Sequence, residues 1–136
     1  MAPSGKHGRN AILTDVGTTF AALLALAIVL MGARYLVDPY PAAAGFGIPG
    51  ALGEANHQAA WLAVKAVRDI AIGIAIVALV IDGAHRQLAY LMIAASLIPI
   101  ADGTIVLRAG GPRAIAYGIH WTTAALMLTV AVLLIV

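Results

Sequence analysis

Long apolar stretches separated by polar connections dominate the pattern of the chain. Four of them are close to the ~20 residues that an α-helix needs to cross a ~30 Å hydrocarbon core. They cover about 16–36, 61–81, 88–107 and 115–136. The first and fourth are apolar almost all round, whereas helices of a soluble bundle carry a polar face. The pattern therefore predicts an all-α protein, a four-helix transmembrane bundle forming a single membrane domain over 1–136.

The three connections differ in length, which restricts the topology. Residues 82–87 and 108–113 are tight links, and such links make consecutive helices antiparallel neighbours, as in an up-down bundle. Residues 37–60 form a long loop, in which three prolines oppose a continuous helix. Connections are usually about 4–6 residues long, so a loop of this length is either functional or loosely held. We consider two alternatives for it, a lid over a pocket and a plain interfacial loop.

Composition excludes several classes of protein. Hydrophobic residues make up 62% of the chain and charged residues 10%, whereas a soluble domain has about 25% charged residues. The chain has no cysteine, which excludes disulfides and thiolate zinc sites. Its net charge of +2 is too small for a nucleic-acid-binding surface. We therefore expect the lipid bilayer as its surroundings and no nucleic acid as a partner.

Polar residues inside the predicted spans carry the functional signal. In an up-down bundle the ends of spans 1 and 3 share one membrane face with the starts of spans 2 and 4. The polar residues in that half are Arg34, Lys65, Arg68, Asp69, Asp102, Arg108, Tyr117, His120, Thr122 and Thr123. At 1.5 Å per residue, Asp69, Asp102 and His120 lie roughly 9–12 Å below that face. Their side chains are too short to reach the surface, unlike those of Lys and Arg.

Two interpretations fit these buried charges. Charged residues in a bilayer cost about 2.5–3.5 kcal/mol each, and they usually face the bundle interior and pair there. The ion pairs could serve only to hold the helices in register, although interhelical polar contacts average only about 0.6 kcal/mol. The other interpretation is a pocket in one half of the bilayer that binds a small lipophilic metabolite or relays protons.

The functional interpretation assigns roles to these residues. Asp69, Asp102 and His120 are the candidate catalytic residues, because each can accept or donate a proton. Lys65 and Arg68 would hold an anionic or carbonyl group. The predicted ligand-binding residues are Arg34, Lys65, Arg68, Tyr117 and Trp121. The four histidines show no metal-ligand spacing on one helix, so we expect neither a metal nor another cofactor.

Three short motifs resemble a known family. They are FGIP at 46–49, RDIAIG at 68–73 and ADG at 101–103. With them, the chain from about Val16 onward resembles the small four-helix membrane proteins of bacteria and fungi catalogued as domain of unknown function 4267. A looser likeness in size and layout joins it to the DoxX-like membrane proteins. The resemblance implies the four-helix layout and points to Arg68, Asp69 and Asp102, but it brings no established reaction. We expect a multi-pass protein of a bacterial plasma membrane.

Three functions follow as alternatives. The first is a membrane-embedded pocket for a small lipophilic metabolite, with acid–base isomerisation or cyclisation as a further step, so that enzyme activity is left open. The second is a small transporter or proton-coupled carrier subunit, against which the charge-free half of the bundle counts. The third is a structural or accessory membrane protein. The expected partners are lipid and a small lipophilic ligand, and a homo-oligomer is an alternative to a monomer.

Overall fold

The computed structural model describes residues 4–48 and 55–136, with side chains for 8–48 and 59–136. The helices are α1 (Ser4–Val37), α2 (Pro39–Phe46), α3 (Ala55–Ile81), α4 (His85–Arg108), α5 (Arg113–Ile115) and α6 (Thr122–Ile135). A π-helical segment, Ala116–Trp121, joins α5 to α6. These last three elements form one continuous stretch, Arg113–Ile135, called the C-terminal helix below. The described residues form helices and no strand, so the protein is all-α.

Three helices are long and apolar enough to cross a membrane, namely Gly8–Val37, His85–Arg108 and Arg113–Ile135. Such helices are characteristic of an integral membrane protein. α3 is also long enough, but every stretch of about 18 residues within it contains Lys65, Arg68 and Asp69. Charge rather than length therefore separates α3 from the other long helices.

The helices extend beyond the spans predicted from hydropathy. α1 begins at Ser4 rather than near 16, and α3 begins at Ala55 rather than near 61. Both extensions contain polar residues, and hydropathy marks the part of a helix that suits hydrocarbon rather than the end of its hydrogen bonding. The predicted loop 37–60 is consequently shorter than expected.

The remainder of that loop contains a helix despite its prolines. Pro39 and Pro41 lie in the first turn of α2, where a missing N–H breaks no helical hydrogen bond. Gly47 follows the helix with a φ of 94°, the left-handed conformation that commonly ends a helix. The third proline, Pro49, lies outside the described residues. The prolines therefore fix where α2 begins instead of preventing it.

α1 packs more extensively against α3 than against any other element. Gly32 in α1 lies against Ala66, whereas Gly73 further along α3 lies against the earlier Val29. The two helices therefore run antiparallel. A Cβ at Gly73 would collide with the Val29 side chain, so this glycine allows the close approach. The sequence pattern also predicts small-residue packing at this position.

The C-terminal helix completes the arrangement by packing against both α1 and α4. Gly17 lies against Leu133, and Asn10 Nδ2 donates a hydrogen bond of 2.9 Å to the carbonyl of Val136. Trp121 Nε1 donates a bond of 3.3 Å to the carbonyl of Ile100 in α4. Neighbouring long helices are therefore antiparallel throughout.

The two halves of this arrangement differ in their interior. An apolar core fills one half, called the apolar half. It consists of Ala21, Ala25, Ile76, Leu88, Ala89, Met92, Ala95, Met127, Val130, Ala131 and Leu134. The other half, called the polar half, contains the end of α1, the first half of α3, the end of α4 and the π-helical segment. The buried polar residues Asp69 and His120 lie in the polar half.

Candidate functional site

A cavity of about 170 Å³ lies among the four long helices, mainly in the polar half. Its polar lining residues are Tyr35, Lys65, Asp69, Asp102, His120 and Thr123. Leu24, Ile28, Ile72 and Met127 line the end towards the apolar half. A protein cavity of about 150 Å³ accommodates benzene. The cavity therefore has room for one ring or a short chain, with a polar and an apolar end.

One ammonium group links two carboxylates at the polar end of the cavity. Lys65 Nζ lies 2.7 Å from Oδ2 of Asp69, four residues later on α3. It also lies 3.7 Å from Oδ2 of Asp102 on α4. The carboxylate side chains are only 10% and 15% exposed. These three residues, called the charge cluster, connect α3 to α4 and carry one formal negative charge in excess.

Arg68 compensates this charge from outside the cavity. Its Nε lies 3.7 Å from Oδ1 of Asp69, which is too long for a hydrogen bond. Its side chain is 48% exposed and does not line the cavity. Asp69 therefore lies between two cations, whereas among the described residues Asp102 pairs only with Lys65, at the longer distance.

α2 covers the polar end of the cavity with Phe46. Lys65 Nζ lies 5.3 Å from the centroid of the Phe46 ring, close enough for a cation–π interaction. The Phe46 ring also meets the His120 ring edge-on, with 4.8 Å between centroids. His120 Nε2 donates a hydrogen bond of 3.1 Å to the Phe46 carbonyl, and since a carbonyl only accepts, Nε2 carries the hydrogen. These contacts favour the lid over the plain interfacial loop.

Within the π-helical segment, the side chain of His120 faces the cavity, whereas those of Tyr117 and Trp121 do not. His120 is buried and lines the cavity, whereas Tyr117 and Trp121 are partly exposed and do not line it. The rings of Tyr117 and Trp121 instead contact each other at 4.8 Å between centroids. The backbone N–H of Thr122 donates to the carbonyl of Tyr117, five residues earlier, which is the hydrogen bond of a π-helical turn. Such π-turns often occur at functional sites.

The structure brings together only part of the predicted site. Lys65, Asp69, Asp102 and His120 line the cavity. Arg34, Arg68, Tyr117 and Trp121 do not. The sequence gives the depth of a residue along its helix, but the direction of its side chain depends on how the helix is rotated. Ligand binding by the second group stays a prediction that this geometry does not favour.

Two residues that the sequence argument did not assign to the site contribute to it directly. Tyr35 lines the cavity in place of its neighbour Arg34, and Phe46 reaches it from α2. A signal for Tyr35 is present in the sequence, because Leu24, Ile28, Met31 and Tyr35 are spaced by four, three and four residues. That spacing places them on one face of a helix. For Phe46 the signal is its position in the FGIP motif.

We infer from the exposure of its lining residues that the cavity opens sideways between α1 and the π-helical segment. Met31 and Ile119 line it and are nevertheless 49% and 46% exposed. α1 packs against α6 but hardly touches the π-helical segment, so the two helices separate in the polar half. The rim of this opening is apolar.

The described part of the chain contains no group of three or more potential ligands arranged to hold a metal ion. The two carboxylates of the charge cluster are instead bound to Lys65. The side chains of His7 and His57 lie outside the described residues. The expectation that the protein uses no metal and no other cofactor stays a prediction.

A family model described as Domain of unknown function (DUF4267) matches residues 25–134. The chain belongs to this family. The resemblance predicted from the three motifs is thereby confirmed, and the match includes the whole charge cluster of this DUF4267 protein. No similar curated protein and no similar solved structure was found. The likeness to the DoxX-like proteins is not supported by these comparisons.

The three motifs of this DUF4267 chain meet at the cavity. FGIP supplies Phe46, RDIAIG supplies Asp69, and ADG supplies Asp102. Their glycines allow close packing: a Cβ at Gly47 would crowd Ile115, and one at Gly103 would collide with the Trp121 ring. The segments that carry the resemblance therefore contribute both carboxylates of the polar end and some of the contacts that shape the cavity.

Proposed function

We propose that this protein is a four-helix transmembrane bundle that binds a small amphipathic molecule in the cavity of its polar half. The observation that carries the proposal is the cavity itself. It has room for a ring-sized molecule, an apolar end, and a polar end formed by the charge cluster and His120. A ligand of matching shape would place its polar group at the charge cluster and its apolar part towards Leu24 and Ile72.

α3 serves as the fourth span in this proposal. It packs extensively along α1, which is apolar enough to cross the membrane, so the two helices would cross together. Lys65 and Asp69 pair with each other inside the bundle, which lowers the cost of placing them in the bilayer. Arg68 is half exposed and has a side chain long enough to reach the nearer membrane surface.

The sideways opening supplies the route of entry. Its rim residues Met31 and Ile119 are apolar and would face lipid, so a molecule dissolved in the bilayer could enter without crossing a polar surface. The ligand class that fits is therefore a small lipophilic metabolite with one polar group.

Transport is less well supported by the packing. The core residues Ile76, Leu88 and Met92 are completely buried and fill the apolar half. A path across the membrane through one chain would have to open this core. Transport therefore requires either a large rearrangement or a second copy of the chain.

Acid–base catalysis on the bound molecule is a second candidate function. It is favoured by the presence of two carboxylates and an imidazole, from Asp69, Asp102 and His120, in one cavity. A proton shift of the isomerase type in D₂O would introduce deuterium into the ligand. Mass spectrometry would detect that exchange. If the bound ligand takes up no deuterium, proton-transfer catalysis at carbon is excluded.

Native mass spectrometry of the protein released from nanodiscs tests the binding proposal. Ala27 lines the cavity, so Ala27→Phe should fill part of it. Ala71 is exposed on α3 and does not line the cavity, which makes Ala71→Phe the matched control. A discrete non-lipid mass should accompany the wild type and the control but not Ala27→Phe. Only bulk lipid, equal in all three proteins, would contradict the proposal.

A further inference from the structure

Tyr35 is a buried polar residue of the cavity whose hydroxyl has no hydrogen-bond partner among the described residues. The residue is 3% exposed and lines the cavity, and its ring centroid lies 5.4 Å from Lys65 Nζ. In the described part of the chain, whose side chains cover 8–48 and 59–136, this hydroxyl makes no hydrogen bond. Buried tyrosine hydroxyls usually have a partner, because burial without one is unfavourable. A ligand that accepts a hydrogen bond from the Tyr35 hydroxyl would supply the partner that this group needs.

Asp102 supplies the complementary acceptor on α4. Its closest cation is Lys65 Nζ at 3.7 Å, beyond hydrogen-bond distance. Lys65 donates instead to Asp69 at 2.7 Å. Among the described residues the carboxylate of Asp102 accepts no hydrogen bond, although its side chain is only 15% exposed. Tyr35 and Asp102 therefore present an unused donor and an unused acceptor to the same small cavity.

The charges around the cavity restrict the polar group that fits there. Lys65 is already bound to two carboxylates, so an anionic ligand would have to compete with them for this ammonium group. An ammonium group would suit Asp102 but offers Tyr35 no acceptor. A hydroxyl group can donate to the carboxylate and accept from the phenol at the same time.

We propose that the ligand is a neutral alcohol about as large as one six-membered ring with a short substituent, held by its hydroxyl between Tyr35 and Asp102. This inference rests on the proposed binding function and specifies its ligand. It replaces the anionic group expected from the sequence with a neutral one, because the lysine that would have bound an anion is occupied.

Four fluorinated probes of similar shape test which polar group the cavity prefers. They are 4-fluorobenzyl alcohol, 4-fluorobenzoate, 4-fluorobenzylamine and 4-fluorotoluene. Fluorine NMR would measure the saturable binding of each to the protein in nanodiscs at neutral pH, with empty nanodiscs correcting for partition into lipid. We expect the alcohol to bind several-fold more tightly than the other three probes.

Two variants test whether the hydroxyl of Tyr35 binds the alcohol. Tyr35→Phe removes only the hydroxyl and should weaken binding of the alcohol about three- to tenfold, as expected for one lost hydrogen bond. It should leave binding of 4-fluorotoluene unchanged. Tyr90 is exposed on α4 and does not line the cavity, so Tyr90→Phe is the matched control and should bind every probe like the wild type.

The outcomes distinguish failure of the hydroxyl inference from failure of the proposed binding function. If the alcohol and 4-fluorotoluene bind equally, or if Tyr35→Phe leaves the alcohol's affinity unchanged, the cavity binds ligands but the hydroxyl inference is wrong. Tighter binding of the benzoate or the amine would likewise overturn it, since the cavity would then recognise charge. If no probe shows saturable binding, both this inference and the proposed function fail.

Discussion

The apolar and polar halves of this all-α protein differ in how closely their helices pack. In the apolar half, Gly17 and Gly73 bring helices together around a core whose members Ile76, Leu88 and Met92 are fully buried. In the polar half, α1 and the C-terminal helix separate, and a cavity with buried charges lies between the helices. The comparison indicates that close packing in one half is compatible with a cavity in the other half, lined by polar groups such as Asp69 and His120.

The largest expected effect comes from breaking the charge cluster. Lys65→Met leaves Asp69 and Asp102 buried without their shared cation. Removing one partner of a buried ion pair costs about 3–5 kcal/mol, so we expect the free energy of unfolding to fall by that order. Thermal unfolding in nanodiscs, followed by circular dichroism, measures the change. Arg34→Met, at an exposed arginine outside the cavity, is the control and should unfold like the wild type.

A neutral version of the cluster separates its structural role from its binding role. The triple variant Lys65→Met, Asp69→Asn, Asp102→Asn removes all three charges and should recover most of the lost stability, because no unpaired charge remains. It should not recover binding of 4-fluorobenzyl alcohol. If it regains both, the charges serve only to hold the fold and the structural interpretation prevails.

A smaller loss of stability is expected from enlarging a side chain at a close helix contact in the apolar half. Gly73→Ala places a methyl group against Val29 and should lower the free energy of unfolding by about 1–3 kcal/mol, as overpacking does. Gly118 has open space around its Cβ position, so Gly118→Ala is the matched control and should not lose stability. Equal unfolding temperatures for the two variants would show that the close approach of α1 and α3 contributes little.

Obstructing the sideways opening should affect binding rather than stability. Ile119→Trp places a larger ring at the rim, and since Ile119 is 46% exposed, the free energy of unfolding should change by no more than about 0.5 kcal/mol. Association of 4-fluorobenzyl alcohol should slow several-fold. Ile135→Trp, at an exposed position near the end of α6, should bind at the wild-type rate. An unchanged rate in Ile119→Trp would place the entrance elsewhere.

The smallest expected effect is a gain in stability rather than a loss. Tyr35→Phe removes a buried hydroxyl that makes no hydrogen bond within the described residues, so without ligand the variant should gain up to about 1 kcal/mol of stability. Tyr90→Phe should show no change. Thermal unfolding of ligand-free protein measures both. A clear loss of stability in Tyr35→Phe would mean that the hydroxyl is bonded in the folded protein.

Much of the architecture could be predicted from local properties of the chain. The third predicted span, 88–107, lies within α4 because its apolar length and the turns beside it are local signals. The constant rise of a helix predicted a similar level for Asp69, Asp102 and His120, and all three line the same cavity. α2 could not be predicted in the same way, because prolines in a first turn and prolines in a loop look alike in sequence.

The sequence by itself determined which residues lie at a similar level along the helices, because apolar length and helical rise are properties of each helix alone. Only the tertiary structure decided which of them share the cavity. Helix rotation, set by close contacts such as Gly73 with Val29, turns Tyr35 inward rather than Arg34. The π-helical segment turns His120 inward and leaves Trp121 outside. Those directions depend on neighbouring helices, and no single stretch of sequence contains them.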